Sequence, residues 1–214
     1  MKKIDMLEID DCKLFDDIIN AKNALNIHKD EVKSQYKHYQ DNFASLEKVK
    51  ADQNLETIKD ELINCYENPT NPFKFAKNTL WDKFKEQRDD DKCPYCMIEN
   101  ARELDHYFSK TNYPEYSVFI PNPMPCCSIC NREKGDRIIK NNQRQYINFY
   151  HDNIPDYQFL FVEFTWASDG IPESKVYLMF PKTDTSEIKN TNANAHRSIR
   201  LWIFCLSIGQ LKCR

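Results

Sequence analysis

The segment from Cys93 to Asp136, CPYCMIENARELDHYFSKTNYPEYSVFIPNPMPCCSICNREKGD, decides the architecture of this chain. It holds five of the nine cysteines, and four of them form two C-x-x-C pairs, Cys93/Cys96 and Cys127/Cys130, with 30 residues between the pairs. A C-x-x-C turn aims two thiolates at one tetrahedral Zn²⁺, and a second such turn completes a closed four-cysteine site. A closed site has no open position for a substrate, so its expected job is structural. Metal binding then contributes folding free energy to a segment with little core of its own. The redox alternative for a C-x-x-C pair needs a βαβ setting, which the flanking residues do not offer. Cys126 adjoins Cys127 and competes with it for the fourth position; the spacing of Cys127 to Cys130 repeats that of Cys93 to Cys96 and favours Cys127.

The other four cysteines, Cys12, Cys65, Cys205 and Cys213, lie on apolar stripes or at the end of the sequence and read as ordinary thiols. An odd cysteine count argues against a disulfide framework. The N-terminal MKKIDMLEID lacks the apolar stretch of a secretory signal. No run of about 18 apolar residues occurs, so no membrane association is expected and a cytoplasmic location is.

Outward from the cysteine-rich segment, residues 10–90 carry helix-spaced apolar stripes. These are Leu14, Ile18, Ala21 and Leu25, then Tyr36, Tyr39, Phe43 and Leu46, then Leu55, Ile58 and Leu62. A further short helix is expected from Phe75 to Gln87. On the other side, the pattern from Arg132 through Ile138, Ile139, Tyr146, Ile147 and Tyr150 reads as helix ending at Pro155. QFLFVEFTW and KVYLMF around Asp169-Gly170 read as a β-hairpin. Ile199, Trp202, Ile203 and Leu206 mark a last amphipathic helix. The expected organisation is therefore a helical N-terminal arm or bundle at 1–88, a metal-stapled core at 89–153, and a C-terminal hairpin and helix at 154–214.

Net charge is −3 over 214 residues, so any nucleic-acid surface must be local. Between Asn131 and Tyr146 five basic residues stand against two acids, a local +3. Arg132, Lys134 and Arg137 are the expected phosphate contacts, with salt-dependent and largely sequence-independent binding. Lys110 is a further candidate.

The string LDHYFSKTNYPEYSVFIPNPMPCCSICNREKGD resembles the HNH endonuclease family, whose ββα-metal core is often held by two C-x-x-C knuckles. The resemblance covers about 45 residues, and Ser109 departs from its usual Pro before Lys110. It implies an α+β fold: a mainly helical protein with a central ββα-metal (HNH) nuclease core stapled by a four-cysteine zinc site, plus the C-terminal hairpin and helix. It implies that His106 is the general base and that Asp105 and Asn131 hold a catalytic divalent cation. Asn122 is then the central residue that orients His106 through its side-chain amide. The last letter of the motif is Asn here, and an amide oxygen in place of a His nitrogen favours a hard cation, Mg²⁺ or Mn²⁺. Imidazole titrates near neutral pH and can take a proton from water, and a cation offsets charge growing on a phosphate. In a strand, however, Asp105 and His106 point to opposite faces, so both reach one phosphate only if the strand ends or twists there. The resemblance is to one subfamily in particular, often encoded beside an ATPase of the ABC or SMC-like type in Septu-type and retron-associated anti-phage defence systems. It implies DNA and such an ATPase as partners. The alternative is a non-catalytic zinc-binding module that binds nucleic acid or serves as a scaffold.

Overall fold

The structure is a computed structural model, and it describes residues 3–88, 91–152, 154, 160–166 and 172–178. Five helices and three two-stranded antiparallel sheets account for its regular elements among the described residues. Helix α1 (Asp11–Ile19) starts at Asp10, whose carboxylate accepts from the Lys13 N–H. That satisfies one of the donors a helix start leaves free. Helices α2 (Lys29–Asp41), α3 (Lys59–Glu67) and α4 (Asn71–Glu86) follow, with 3-10 turns between them. The helical stripes read from the sequence are shorter than expected: α1 stops at Ile19, and Leu25, Leu46 and Leu55 are buried from 3-10 turns.

Strand β1 (Glu103–His106) pairs antiparallel with β2 (Pro123–Cys126), Asp105 opposite Met124 and His106 opposite Pro123. Helix α5 (Ser128–Lys134) follows at once and packs on β1. The hairpin separates two apolar clusters. On one side, residues of α1 to α4 share a core with Tyr107, Phe108, Tyr116, Phe119 and Ile120. On the other, the four knuckle cysteines pack with Ile4, Phe84, Tyr95, Met124, Ile147 and Phe149. The first core is aromatic: Tyr39 meets the rings of Phe43, Phe108, Tyr116 and Phe119 edge-on, at centroid distances of 5.7, 5.5, 5.1 and 5.1 Å. Leu14 to Leu80 of the N-terminal helices and turns thus share one core with the segment after β1. Their apolar faces are covered by the segment between β1 and β2.

The helix expected through 132–154 is replaced by a seven-residue helix and a tight hairpin. Gly135, at φ +47°, ends α5 in a conformation that side chains with a Cβ rarely adopt. Strands β3 (Ile139–Lys140) and β4 (Gln143–Arg144) then pair across Asn141-Asn142, both left-handed at φ 52° and 55°. Two successive left-handed residues form the turn whose twist matches paired strands, and Asn tolerates it well. The C-terminal hairpin is present as β5 (Leu160–Trp166) against β6 (Pro172–Leu178). Its Asp169-Gly170 turn and the expected final helix lie outside the described residues, as do Cys205 and Cys213. No described helix is long and apolar enough to cross a membrane.

Candidate active site and metal centre

The cysteine centre forms as the spacing requires. In the first knuckle, the Met97 N–H closes onto the Cys93 carbonyl at 2.8 Å, and Met97 takes a left-handed φ of 57°. In the second, Cys127 caps α5, its sulfur accepting from the Cys130 N–H at 3.4 Å. The Sγ atoms of Cys93, Cys96, Cys127 and Cys130 all lie within 4.8 Å of one another, and all four residues are buried. Zn–S bonds of about 2.3 Å in a tetrahedron put sulfurs about 3.8 Å apart, and Cys96 and Cys127 stand at 3.9 Å. The group can hold a metal ion such as zinc. Hydrogen bonds from neighbouring thiols push Cys96 and Cys127 toward the thiolate form. Cys126 stands outside the cluster, with its sulfur against the Cys127 carbonyl at 3.4 Å.

Strand β1 runs through both Asp105 and His106, so the two side chains leave on opposite faces. His106 faces α3, its ring edge-on to Tyr66 at 4.4 Å. Its Nε2 lies 2.9 Å from the Ser117 carbonyl. A carbonyl only accepts, so in the neutral ring the proton sits on Nε2 and the lone pair on Nδ1. The residue is 6% exposed. Burial pushes its pKa down to about 3, with the Ser117 carbonyl opposing and Lys110, Lys134 and Lys77 adding to the shift. His106 is held in its neutral form.

Asn122 does not orient His106 through its side-chain amide. Its Oδ1 accepts from the Phe108 N–H at 2.8 Å, and its Nδ2 donates to the carbonyls of Phe108 and Tyr116 at 2.9 and 3.1 Å. It clamps the loop between β1 and β2, and that loop carries the Ser117 carbonyl that fixes the imidazole. The orienting group is thus a backbone oxygen, for which a sequence has no side-chain signal.

On the opposite face Asp105 is 3% exposed and pairs with Lys134, Oδ1 to Nζ at 3.0 Å. Lys134 is fully buried, and its ammonium also donates to the carbonyls of His106 and Tyr107 at 2.8 and 3.2 Å. This corrects its expected role as a phosphate contact: every proton of the ammonium is engaged inside the protein. Arg144, also counted in the basic segment, is buried against Asp152 at 2.7 Å and Glu47 at 3.4 Å. Arg132 and Arg137 remain on the surface, Arg137 turned back onto the Glu133 carbonyl. Lys110 pairs with Glu67 at 3.2 Å.

Burial raises the Asp105 pKa to about 6, and Lys134 opposes that rise. Its second oxygen, Oδ2, is buried without a hydrogen-bond partner. Buried carboxylate oxygens are seldom left unpaired, and a divalent cation is one group that satisfies such an atom. Asn131 reaches the same strand face two residues earlier, its Nδ2 donating to Glu103 Oε2 at 2.8 Å. Glu103 was not singled out from sequence, although its i, i+2 spacing to Asp105 places both on one strand face. Glu103 and Asp105 thus lie on one face of β1, and Asn131 is joined to Glu103.

No protein-family model matches this chain, and no solved structure matches it. Protein ea31 of Escherichia phage lambda is 37% identical over 90 residues, covering 37% of this chain and 30% of the phage protein. The chain thus matches less than a third of that relative's length, and the relative's name states no activity.

Proposed function

We propose that this chain is a metal-dependent HNH-type endonuclease that hydrolyses DNA phosphodiester bonds, with His106 as general base and the four-cysteine group holding a structural zinc. The observation that carries the reading is the neutral imidazole of His106, set by the Ser117 carbonyl at the end of a strand–strand–helix unit with four buried cysteines at its base. Nδ1 of such a ring carries the lone pair that would accept a proton from an attacking water, a transfer favoured once phosphate and cation at the site raise the imidazole pKa toward neutrality. Asp105 Oδ2 and the Asn131 amide oxygen are the atoms that would hold Mg²⁺ or Mn²⁺, with Glu103 beside them. The cation supplies charge stabilisation for the phosphate and leaving oxygen. Lys134 fixes the backbone on which Asp105 and His106 diverge, since it grips both Asp105 and the His106 carbonyl.

The resemblance in residues 104–136 extends the proposal to a nuclease effector of a bacterial anti-phage system that acts with an ABC or SMC-like ATPase. Leu14 to Leu80 share a core with the loop after β1, so deleting the N-terminal helices would expose that core. A partner test therefore uses the full chain. Co-purification with a neighbouring ATPase, reduced by Phe75→Asp at the exposed Phe75 (74%), would place the partner on α4. The non-catalytic module has one observation in its favour, the deep burial of His106. Nicking of supercoiled plasmid in Mg²⁺ or Mn²⁺, lost in His106→Ala, separates the two readings.

A further inference from the structure

Two lysines from distant parts of the chain converge on one tyrosine beside His106. Lys77, on α4, lies 4.2 Å from the centroid of the Tyr66 ring, and Lys110, after β1, lies 4.5 Å from it. The two ammonium groups are therefore no more than about 9 Å apart. Tyr66, at the end of α3, is the ring that meets His106 edge-on at 4.4 Å. The position of Lys77 is set from below, since Phe73 one turn earlier on α4 packs against Tyr66 at 5.8 Å. Lys110 has the Glu67 carboxylate at 3.2 Å, while no carboxylate among the described residues lies within ion-pair distance of Lys77. Two like charges meet at a partly buried ring with one ion-pairing carboxylate, Glu67 beside Lys110, while Asp105 and Glu103 act on the Tyr66 hydroxyl. The face of an aromatic ring attracts and holds cations, which keeps both ammonium groups at the site without neutralising either.

We propose that Lys77 and Lys110, held over Tyr66, form a clamp for nucleic-acid phosphates next to His106. The inference rests on the nuclease reading for its substrate class and adds two helices, α3 and α4, to the nucleic-acid surface. An ammonium is a point charge suited to backbone phosphate rather than to bases. The clamp is accordingly independent of base sequence and takes adjacent phosphates of one strand. It also shifts the expected contact surface from α5, where Lys134 is buried, to the opposite side of β1.

The test measures binding of a fluorescein-labelled duplex of about 30 base pairs by anisotropy between about 50 and 200 mM KCl, without added divalent cation. The proteins are the full chain, Lys77→Gln, Lys110→Gln, the double variant, Lys77→Arg and Glu67→Gln, each checked for zinc content and melting temperature. Each phosphate contact contributes about 0.9 to the slope of log affinity against log salt, or about 3.5-fold in affinity across this fourfold salt range. Each Gln variant at a lysine should lower the slope by about 1 and the double variant by about 2. Lys77→Arg should retain the slope. Glu67→Gln, which frees Lys110, should tighten binding, and it tests the clamp even if a lysine variant folds poorly. An unchanged slope in folded Lys77→Gln, or no binding by the unaltered protein, overturns the clamp. Nicking is read on the same proteins in Mg²⁺ and Mn²⁺. Cleavage with unchanged slopes refutes the clamp and leaves the nuclease standing. The expected slopes with no cleavage in either metal refute the nuclease and leave the clamp as a phosphate site.

Discussion

Replacing Lys134 by Met keeps the length of the side chain and removes a buried ammonium that has four oxygen neighbours. These are the carbonyls of His106, Tyr107 and Gly135 at 2.8, 3.2 and 3.3 Å, and Asp105 Oδ1 at 3.0 Å. Asp105 is 3% exposed and already has one oxygen without a partner. Without Lys134 both of its oxygens would be unpaired. Breaking a buried ion pair from one side costs about 3–5 kcal/mol, against a total stability of about 5–15 kcal/mol for a domain. The assay is denaturant unfolding in zinc-replete buffer at about pH 8, above the folded pKa of Asp105. The sign of the pH effect follows from that carboxyl group. Its folded pKa, about 6, lies above its ordinary 3.8, and loss of Lys134 raises it further. The carboxylate's cost is absent below pH 3.8 and develops as pH rises through the folded value. The deficit of Lys134→Met should therefore shrink at about pH 5, and Asp105→Asn in the same background should recover part of it at about pH 8. A loss below about 1 kcal/mol, with no recovery by Asp105→Asn, would refute the reasoning. So would a variant of full stability that has lost salt-dependent DNA affinity, since Lys134 would then be a phosphate contact.

Four further outcomes are expected. The purified protein should carry one zinc per chain by mass spectrometry under non-denaturing conditions. Cys130→Ser should lose it and melt far lower, while Cys126→Ser should keep it; retained zinc in Cys130→Ser would disprove the ligand set. Asn122→Ala removes three buried hydrogen bonds at 2.8, 2.9 and 3.1 Å and should cost about 3 kcal/mol, or about 1 per bond. Equal denaturation midpoints would show that the loop does not depend on it. Glu115 is fully buried with Oε2 unpaired, and burial raises its pKa from 4.5 to about 7. Its favourable neutral form is present below pH 4.5 and lost as pH rises through about 7. Glu115→Gln should therefore match the unaltered protein near pH 5 and melt higher at about pH 8. A melting-temperature difference that does not change with pH contradicts this. Finally, His106 is neutral above about pH 3, so it should contribute no acid limb to kcat/KM near the ordinary imidazole value of about 6.5; a limb near 6 from Asp105 should weaken as the divalent cation concentration rises. A limb there that disappears on replacing His106 would mean the ring is solvated in solution.

What could be read from the sequence was whatever spacing alone decides. Two residues between cysteines is the geometry of a metal knuckle, so the four-cysteine group, with Cys127 rather than Cys126 in it, needed no knowledge of the fold. QFLFVEFTW and KVYLMF around a turn signal marked the C-terminal hairpin, and an apolar stripe marked α1. The helix expected after Arg132 failed because two local signals outweigh a weak apolar period: Gly135 ends α5, and Asn141-Asn142 turns the chain. Lys134 was misjudged because burial of a charge depends on its partner, and Asp105 lies far back in the sequence, on β1. Tyr66 and Lys77 were invisible as site residues for a related reason. They come from two helices that reach His106 only because the aromatic core around Tyr39 binds helices and loop into one body. Adjacent residues on opposite strand faces pose a difficulty that persists in the fold: Asp105 and His106 do diverge. In the proposed site the cation and the base would approach a phosphate from the two faces of the end of β1.

His106 as general base is tested most directly by plasmid nicking with the zinc-loaded chain of 214 residues, in parallel with His106→Ala of equal melting temperature and zinc content. Supercoiled DNA is incubated with Mg²⁺, with Mn²⁺ and without divalent cation, and relaxed and linear products are quantified. Loss of a general base lowers the rate by about 10²–10⁴-fold. A metal-dependent nuclease with His106 as base gives products only with a divalent cation, and a loss of that size in the variant. Cleavage by folded His106→Ala at the unaltered rate would contradict it.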